Sequence, residues 1–365
     1  MDIRITPKKL TGTVTPPPSK SQAHRLLIAA ALIHRGVSVI HGLADSQDIQ
    51  ATRRCLTALG ARIDDVDENT VQVCGLGNAI VEAGPAPILD CGESGSTLRF
   101  LIPLALLVNG SACFVGHGRL MERPQGPYEN LFREKGIAWS FKDGVLSVDG
   151  GKGYDDYALS PGEYRLPGNV SSQFFTGLLF VLPLLDGDST LVPTTPLESR
   201  DYLEMTRSVL ELEGLNAFSV QGDMAVVPHF LRLTHPGDLT IDLSGIPDLL
   251  PPLAVMAAVR SGTTRFVNAA RLRMKESDRL ATVCAMLTAL GGRCEEGADS
   301  LTVTGGTLTG GTVDSAGDHR IAMAAAIAAT GCTGPVTVLG AECVKKSYPD
   351  FWEVYQSLGG EVHVL

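Results

Sequence analysis

The sequence has few aromatic residues, few charged residues and no long apolar run. Aromatic residues make up 5% and charged residues 19% of its 365 positions. Its longest apolar stretches, such as FLIPLALLV at residues 100–108, are too short to cross a bilayer. The first ten residues, MDIRITPKKL, lack the apolar core of a signal peptide. We therefore predict a cytoplasmic protein with no membrane association.

An excess of positive charge is also missing. Lys and Arg total 30 against 40 Asp and Glu, a formal net charge of -10, so no nucleic-acid partner is expected. The eight cysteines form no C-x-x-C pair, and we interpret them as buried free thiols, with one reactive thiol as the alternative. The eight histidines show no metal-ligand spacing. We predict neither a metal nor a cofactor.

Two kinds of segment recur along the chain. A small or polar start followed by an apolar, Ala- and Leu-rich run begins near residues 19, 92, 168, 245 and 316. An amphipathic run ending on glycine, followed by a hairpin pattern, also occurs five times, and its glycines are predicted helix C-caps: Gly60, Gly136, Gly214, Gly292 and Gly360. A strand-like run such as SACFV lies between the two. This pattern predicts an α/β fold built from five strand-and-two-helix units, with the first helix inside and the second outside.

Polar groups gather at the predicted starts of the inner helices. In PPPSKSQAHR, Lys20 is followed by Ser21 and Arg25, which share a helical face; an N-cap serine with surface cations is the alternative. GESGSTLRF places Gly95 where backbone N–H groups are accessible, and capping of a structural helix is the alternative. GNVSSQF adds the neutral hydrogen-bonding groups Ser171, Ser172 and Gln173, which could also act as caps. If these helices run in parallel, their positive dipole ends would suit an anion.

The second half of the chain carries the charged motifs. GIPDLL places Asp248 at an inner-helix start, where simple capping is the alternative. GDHR places His319 and Arg320 at the fifth start, where capping by Asp318 is the alternative. In MKESDR, we expect Lys275 and Arg279 on one helical face, with Glu276 between them; an ion-paired helix entry is the alternative. Two more cations lie on loops before outer helices, Arg123 in MERPQG and Lys346 in VKKSYPDFW.

Together these blocks resemble the 5-enolpyruvylshikimate-3-phosphate (EPSP) synthase family, in order along nearly the whole chain. The resemblance implies a two-lobed inside-out α/β barrel of the enolpyruvyl transferase type. It also implies transfer of the enolpyruvyl group of phosphoenolpyruvate to the 5-hydroxyl of shikimate 3-phosphate, with release of phosphate. We expect a monomer whose lobes are residues 1–12 with 228–365, and 13–227.

The resemblance also assigns residues. Shikimate 3-phosphate would be bound by Lys20, Ser21, Arg25, Ser171, Ser172, Gln173, Ser199, Asp248 and Lys275. Phosphoenolpyruvate would be bound by Lys20, Gly95, Arg123, Gln173, Arg279, Arg320 and Lys346. Asp248 would accept the hydroxyl proton and Glu276 would protonate the methylene carbon. Lys20 and His319 could assist these transfers, and Tyr202 would lie near the sugar-like ring.

The chain departs from the family pattern in two places. The family has six repeat units and this sequence shows five, so one lobe would lack a third of its wall. The loop reads GESGSTLR where many members have N-A-G-T-A-x-R, which leaves open whether phosphoenolpyruvate mimics such as glyphosate bind.

Two other functions remain open. An anion-binding relative that lost activity with the missing unit is one. The other is UDP-N-acetylglucosamine enolpyruvyl transferase, which has Lys-Asn where this chain has Lys20-Ser21 and a reactive cysteine loop where it has GRLMERP; Cys113 is close but lies in a strand-like run.

Overall fold

The structure, a computed structural model, divides into two compact units. The described residues are 1–14, 16–33, 36–76, 85–151, 158–185, 187–212 and 237–365. We call Pro17–Gln221 the continuous unit, and Met1–Pro16 with Gly222–Leu365 the split unit. The lobe boundary predicted between residues 12 and 13 falls four residues before the division at Pro16, and the one predicted between 227 and 228 lies outside the described residues.

Helices and strands alternate through both units. In the described ranges the helices are α1 Lys20–Leu32, α2 Gln47–Ala58, α3 Gly95–Asn109, α4 Gly126–Glu134, α5 Ser172–Val181, α6 Asp201–Leu212, α7 Leu250–Val259, α8 Arg279–Ala289, α9 His319–Ala329 and α10 Phe351–Ser357. The strands are β1 Ile3–Thr6, β2 Val37–His41, β3 Arg62–Asp67, β4 Thr70–Cys74, β5 Ile88–Asp90, β6 Ser111–Val115, β7 Ala138–Lys142, β8 Val145–Asp149, β9 Gly162–Leu166, β10 Ser189–Pro193, β11 Leu239–Asp242, β12 Thr263–Val267, β13 Arg293–Glu296, β14 Ser300–Thr304, β15 Gly311–Asp314, β16 Val336–Leu339 and β17 Glu361–Val364. The predicted α/β repeat is confirmed, because β2, β6, β10, β12 and β16 each lie between an inner and an outer helix.

The sheets show the repeat in their strand order. Two sheets, β5-β6-β8-β7 and β11-β12-β14-β13, have the same order, a parallel pair extended by an antiparallel hairpin. A third sheet, β15-β16-β1-β17, follows this order with β1 in place of a hairpin strand. Ile3 of β1 pairs with Val338 on one side and with Val364 on the other. The N-terminal strand therefore completes the last repeat, which is why the split unit contains both ends of the chain.

Inner helices form the core of each unit, as predicted. α3 is buried at 13 of its 15 positions, including Pro103 in its middle. In the continuous unit, the described parts of α1, α3 and α5 expose no large hydrophobic side chain. In the split unit, by contrast, Met256 and Val259 of α7 are 39% and 53% exposed, and Ile327 of α9 is 48% exposed. We call these three residues the open face. The exposure accompanies a smaller number of inner helices, since two are described in the split unit and three in the continuous unit.

The exposure of the open face predicts that replacing valine with threonine will lower the free energy of unfolding by different amounts at two positions of α7. Val259→Thr should change the free energy of unfolding by at most about 0.5 kcal/mol, because the side chain is already in water. Val255→Thr, at a position 5% exposed, should cost about 1–3 kcal/mol because it buries a hydroxyl in the apolar core. Urea unfolding of both variants measures this difference. Equal costs would show that the open face is covered in solution.

The predicted glycine caps are correct for only part of the set. Gly60 and Gly136 adopt positive φ angles, as a left-handed cap requires, whereas Gly214 lies outside the described residues. After α8 and α10 the prediction is wrong by one residue, because the left-handed positions are Gly291 and Gly359. The glycine that follows each of these positions is required because a side chain there would clash with its neighbours. A Cβ added at Gly360 would lie 2.2 Å from a ring carbon of Tyr355.

Candidate active site

One buried guanidinium joins three carboxylates in the split unit. Arg279, the first residue of α8, is 1% exposed. Its Nε donates to Asp318 Oδ2 at 2.8 Å, its Nη1 to Asp248 Oδ1 at 2.7 Å and its Nη2 to Glu276 Oε2 at 2.6 Å. These carboxylates keep the pKa of Arg279 above its ordinary value although burial opposes the charge. Arg279 therefore fixes the two predicted proton-transfer residues relative to each other.

Helix capping explains how the sequence builds this cluster. Asp278 is the N-cap of α8, and its side chain accepts from the Ala281 N–H at 3.2 Å. The preceding 3-10 helix ends at Met274, so Lys275 lies in an extended connection. The prediction that Lys275 and Arg279 share a helical face is wrong, since a new helix begins between them. The connection turns Glu276 back onto Arg279 instead.

Asp248 is surrounded by cations rather than used as a cap. It lies inside the 3-10 turn Pro247–Leu249, before α7, and Leu249 occupies the N-cap position of that helix. Arg320 Nη2 lies 3.4 Å from its Oδ2, and Lys275 Nζ lies 3.7 Å from its Oδ1. Burial would raise the pKa of Asp248, but Arg320, Lys275 and Arg279 hold it well below its ordinary 3.8.

The start of α9 brings the remaining predicted residues of this unit close to the cluster. Asp318 caps α9 by accepting from the Arg320 N–H at 3.0 Å, in addition to its ion pair with Arg279. Lys346 is 7% exposed, and its Nζ donates to the Gly317 carbonyl at 2.8 Å. His319 is buried, with Nδ1 4.0 Å from Asp318 Oδ1. The split unit thus gathers six predicted site residues around three helix starts: Asp248, Lys275, Glu276, Arg279, Arg320 and Lys346.

In the continuous unit, the starts of α3 and α5 are tied together. Arg99 Nη1 donates to Gln173 Oε1 at 2.7 Å, and Gln173 Nε2 donates to Ser96 Oγ at 2.9 Å. Gly95 lies against this group, since a Cβ added there would be 2.9 Å from Arg123 Nη1. Three predicted phosphoenolpyruvate residues, Gly95, Arg123 and Gln173, are therefore neighbours.

Arg25 is buried in α1 with neutral partners. Its guanidinium donates to the Thr206 hydroxyl at 2.8 Å, the Thr176 hydroxyl at 3.2 Å and the Ser21 carbonyl at 2.7 Å. It also lies over the ring of Tyr202, 5.5 Å from the centroid. Burial lowers the pKa of Arg25 to about 10. The hydroxyls and the ring hold this cation without neutralising it, so an anion would be favoured beside it.

Lys20 and the serines complete the predicted set. Lys20 Nζ pairs with Asp48 Oδ2 at 2.7 Å, linking the starts of α1 and α2. Ser171 caps α5 by accepting from the Gln173 N–H at 3.3 Å, so the capping alternative holds for this residue. Ser172 is buried beside it, and Ser199 is buried with a positive φ of 54°.

Three charged residues belong to these groups but were not among the predicted site residues. They are Asp48, Arg99 and Asp318, all less than 9% exposed. Two of them carried a signal in the sequence, because Arg99 follows Gly95 by one helical turn and Asp318 precedes His319. Asp48 gave no such signal, since its contact with Lys20 spans 28 residues.

The eight cysteines are free thiols, as predicted, but the prediction that they are buried is wrong for Cys74, Cys113, Cys284 and Cys294, which are half-buried. Four of the eight are buried: Cys55, Cys91, Cys332 and Cys343. Burial raises the pKa of the Cys91 thiol well above its ordinary value and that of Cys343 to about 11, which disfavours the reactive thiolate.

In the described part of the chain, no helix combines the length and the apolar character that a membrane span requires.

Two kinds of solved enolpyruvyl transferase have a fold similar to that of this chain. EPSP synthase from Acinetobacter baumannii is similar with a TM-score of 0.75 and 22% identity, covering 100% of both chains. An enolpyruvyl transferase from Streptomyces tendae gives 0.64 and 16% identity, covering 99% of this chain and 98% of that one. The fold is therefore that of the enolpyruvyl transferases.

Sequence similarity identifies the family within that class. The profile of the family described as EPSP synthase (3-phosphoshikimate 1-carboxyvinyltransferase) matches residues 5–229 and 222–355. The 3-phosphoshikimate 1-carboxyvinyltransferase of Clostridium novyi is 38% identical over 437 positions, covering 98% of each chain. The chain belongs to the EPSP synthase family.

The same alignment measures how much this chain lacks. It is 437 positions long whereas the chain has 365 residues, so at least 72 positions have no counterpart here. That number is close to the repeat spacing of 71 to 77 residues in the sequence. The two matched segments of the family profile overlap at residues 222–229, between the repeat units that begin near residues 168 and 245.

Proposed function

We propose that this protein transfers the enolpyruvyl group of phosphoenolpyruvate to the 5-hydroxyl of shikimate 3-phosphate and releases phosphate, a step of the shikimate pathway. Membership of the EPSP synthase family supports this reaction. The observation that carries it is the cluster around Arg279, where two candidate proton-transfer carboxylates lie among cations at three helix starts. A site of this composition can bind polyanions and move protons between them.

The two substrates bring roughly five to six negative charges, which a closed site must neutralise. Seven cations are proposed to do so: Lys20, Arg25, Arg123, Lys275, Arg279, Arg320 and Lys346. Shikimate 3-phosphate is proposed to bind Lys20, Ser21, Arg25, Ser171, Ser172, Gln173, Ser199, Asp248 and Lys275, with Tyr202 near its ring. Phosphoenolpyruvate is proposed to bind Lys20, Gly95, Arg123, Gln173, Arg279, Arg320 and Lys346.

The electrostatics of Asp248 couple substrate binding to catalysis. With its pKa held well below 3.8, the carboxylate is a weak base in the free protein. Arg320 and Lys275 are the first two charges that lower this pKa, and both are proposed substrate ligands. Once substrate anions share these cations, the pKa of Asp248 rises and the carboxylate can accept the 5-hydroxyl proton. The base is thus activated when both substrates are bound.

Glu276 supplies the complementary proton. Its carboxyl is oriented by Arg279, and it protonates the methylene carbon of phosphoenolpyruvate, creating the electrophilic centre that the 5-hydroxyl attacks. The tetrahedral adduct then loses phosphate while a proton of the new methyl group returns to Glu276, which forms the carbon–carbon double bond of the enolpyruvyl group again. Lys20, held by Asp48, and the buried His319 assist these proton transfers.

Phosphate release tests the reaction directly. Purified protein is mixed with shikimate 3-phosphate and phosphoenolpyruvate without added metal, and each substrate is omitted in turn as a control. Release that needs both substrates is the expected result. Tight binding of both compounds without release would favour the inactive relative that the 72 missing positions suggest. Turnover only with UDP-N-acetylglucosamine would identify the sister reaction.

Gly95→Ala is expected to raise the KM for phosphoenolpyruvate about tenfold and to change that for shikimate 3-phosphate little. The added methyl would lie 2.9 Å from Arg123 Nη1 and displace a guanidinium that is only 9% exposed. Gly126→Ala is the matched control, because nothing lies within 4 Å of a Cβ at that position. Steady-state kinetics measure both variants, and an unchanged KM in Gly95→Ala would remove Arg123 from the phosphoenolpyruvate site.

We further infer that the protein acts as a monomer in the cytoplasm. The net charge of -10 favours dispersed, soluble chains. Light scattering after size-exclusion chromatography should give the mass of one chain. Twice that mass would contradict the monomer.

A further inference from the structure

A buried histidine in α1 has no part in the reaction described above. His24 follows Lys20 by one helical turn and precedes Arg25, and it is 1% exposed. Burial lowers the pKa of its imidazole well below the ordinary 6.5, and the charges of Lys20 and Arg25 lower it further. The ring is therefore neutral at physiological pH, and one ring nitrogen carries a hydrogen.

His24 begins a chain of buried hydroxyl groups. Its Nδ1 lies 2.7 Å from Thr52 Oγ1, which lies 2.7 Å from Thr97 Oγ1. Thr97 Oγ1 then donates to Ser94 Oγ at 2.8 Å. All four side chains are less than 2% exposed. The chain crosses from α1 through α2 to the N-cap of α3 without reaching water.

The direction of the last hydrogen bond fixes the direction of the others. Each hydroxyl has one hydrogen to donate. The Asp48 carbonyl lies 3.4 Å from Thr52 Oγ1 and 3.5 Å from Thr97 Oγ1, so it competes weakly for these hydrogens with the contacts of 2.7 and 2.8 Å. Since Thr97 therefore donates its hydrogen to Ser94, the 2.7 Å contact between Thr52 and Thr97 requires Thr52 to donate. Thr52 must then accept from His24, which places the imidazole hydrogen on Nδ1. His24 Nε2, buried with no hydrogen-bond partner among the described residues, is left as the unprotonated nitrogen.

Both ends of this chain lie beside residues of the proposed site. Thr52 is in α2, which presents Asp48 to Lys20. Ser94 caps α3 by accepting from the Thr97 N–H at 3.2 Å and immediately precedes Gly95. Two hydrogen bonds already end on Ser94 Oγ, so the hydroxyl hydrogen of Ser94 is left to donate.

We propose that His24 is a positioning residue for phosphoenolpyruvate: its Nδ1–H tautomer orients the Thr52–Thr97–Ser94 chain, which holds the N-cap of α3 and with it the position of Gly95. This inference rests on the proposed function for the identity of the anion. The orientation of the chain does not depend on turnover and can be measured separately.

Nitrogen NMR of the free protein tests the tautomer. With 15N-labelled histidine, the His24 signals, identified by their loss in His24→Asn, should show a protonated Nδ1 and an unprotonated Nε2. A hydrogen on Nε2, or on both nitrogens, would overturn the inference whether or not the protein turns over substrate.

Thr52→Val tests the functional consequence, because valine keeps the shape of threonine and removes its hydroxyl. The KM for phosphoenolpyruvate should rise about tenfold while the KM for shikimate 3-phosphate stays within about twofold, and Thr52→Ser should restore the wild-type values. Thr70→Val, at a buried position in β4 of the same unit, is the control and should leave both KM values unchanged.

The outcomes separate this inference from the proposed function. Wild-type turnover with an unchanged phosphoenolpyruvate KM in Thr52→Val would overturn the positioning role alone. A lower melting temperature with unchanged KM values would do the same, since it would show a purely structural chain. Absence of turnover in the wild-type protein would overturn the proposed function and leave the tautomer measurement standing.

Discussion

Replacing Asp248 with asparagine, or Glu276 with glutamine, is expected to slow turnover by about 10²-fold or more. Each change keeps the shape of the side chain and removes the group proposed to accept or deliver a proton. Asp248→Asn also removes a negative charge from beside Arg320, Lys275 and Arg279, so the KM for phosphoenolpyruvate should not rise. A fall in kcat without a rise in this KM would identify a proton-transfer role, and steady-state phosphate release measures both quantities.

Glu296→Gln provides the control for these two variants. Glu296 also pairs with an arginine of the split unit, Arg273, at 2.7 Å, but it is 33% exposed and has no proposed role in substrate binding or proton transfer. Its rate should stay near that of the wild type. Near-normal turnover in Asp248→Asn or Glu276→Gln, with a normal melting temperature, would remove that residue from the mechanism.

Much of the fold could be predicted because the repeat makes local signals additive. A single run such as SACFV is ambiguous, but five such runs at similar spacing predict β2, β6, β10, β12 and β16. The inner helices were predictable for the same reason, since each is apolar on nearly every side. The position of β1 was not, because pairing Ile3 with both Val338 and Val364 joins the two ends of the chain.

Several residues that the sequence predicts for the site lie close together within each unit, but their local geometry could not be predicted. In MKESDR, the spacing of Lys275 and Arg279 suggested one helix, but Asp278 caps a new helix and interrupts it. In the same way, an aspartate at a helix start suggests an N-cap, but tertiary contacts place Asp248 among cations instead. Asp48 was missed because only the packing of α2 against α1 brings it to Lys20. Charge and spacing therefore selected the residues, while long-range packing decided which of them pair.

The lost repeat affects the packing of the split unit more than its chemistry. The residues around Arg279 come from the two repeats that are present, and their ion pairs lie within that unit. The change is seen on the apolar side of α7 and α9, where Met256, Val259 and Ile327 are exposed. Because these side chains are exposed to water and do not contact the cluster, we expect the missing repeat to lower the stability of the split unit and to leave its catalytic groups in place.

Arg279→Met is expected to lower the free energy of unfolding by about 3–5 kcal/mol at pH 7, the largest stability change predicted for any single side chain here. Methionine fills much of the space of the arginine stem but leaves the fully buried Asp318 without its cation, and the partly exposed Asp248 and Glu276 each lose one ion pair. Domains are commonly stable by only about 5–15 kcal/mol, so the variant would be close to unfolding. Urea unfolding measures the change. Arg207→Met is the control, because Arg207 also pairs with two carboxylates, Glu204 and Glu211, but on the surface of α6. In this variant the midpoint of urea unfolding should change little.

The cost of Arg279→Met should shrink as the pH falls. In the wild type, the pKa values of Asp248 and Asp318 are held below 3.8, so their ion pairs contribute stability above about pH 4 and lose it as the pH drops through the lowered values. In the variant, the buried Asp318 loses the cation that chiefly lowered its pKa, whereas Asp248 keeps Arg320 and Lys275, so acid protonates Asp318 sooner and relieves its uncompensated charge. Both effects reduce the difference in the free energy of unfolding between the wild type and Arg279→Met as the pH falls. A gap that stays constant between pH 7 and pH 4 would mean that lost packing, rather than buried charge, is the source of the destabilisation.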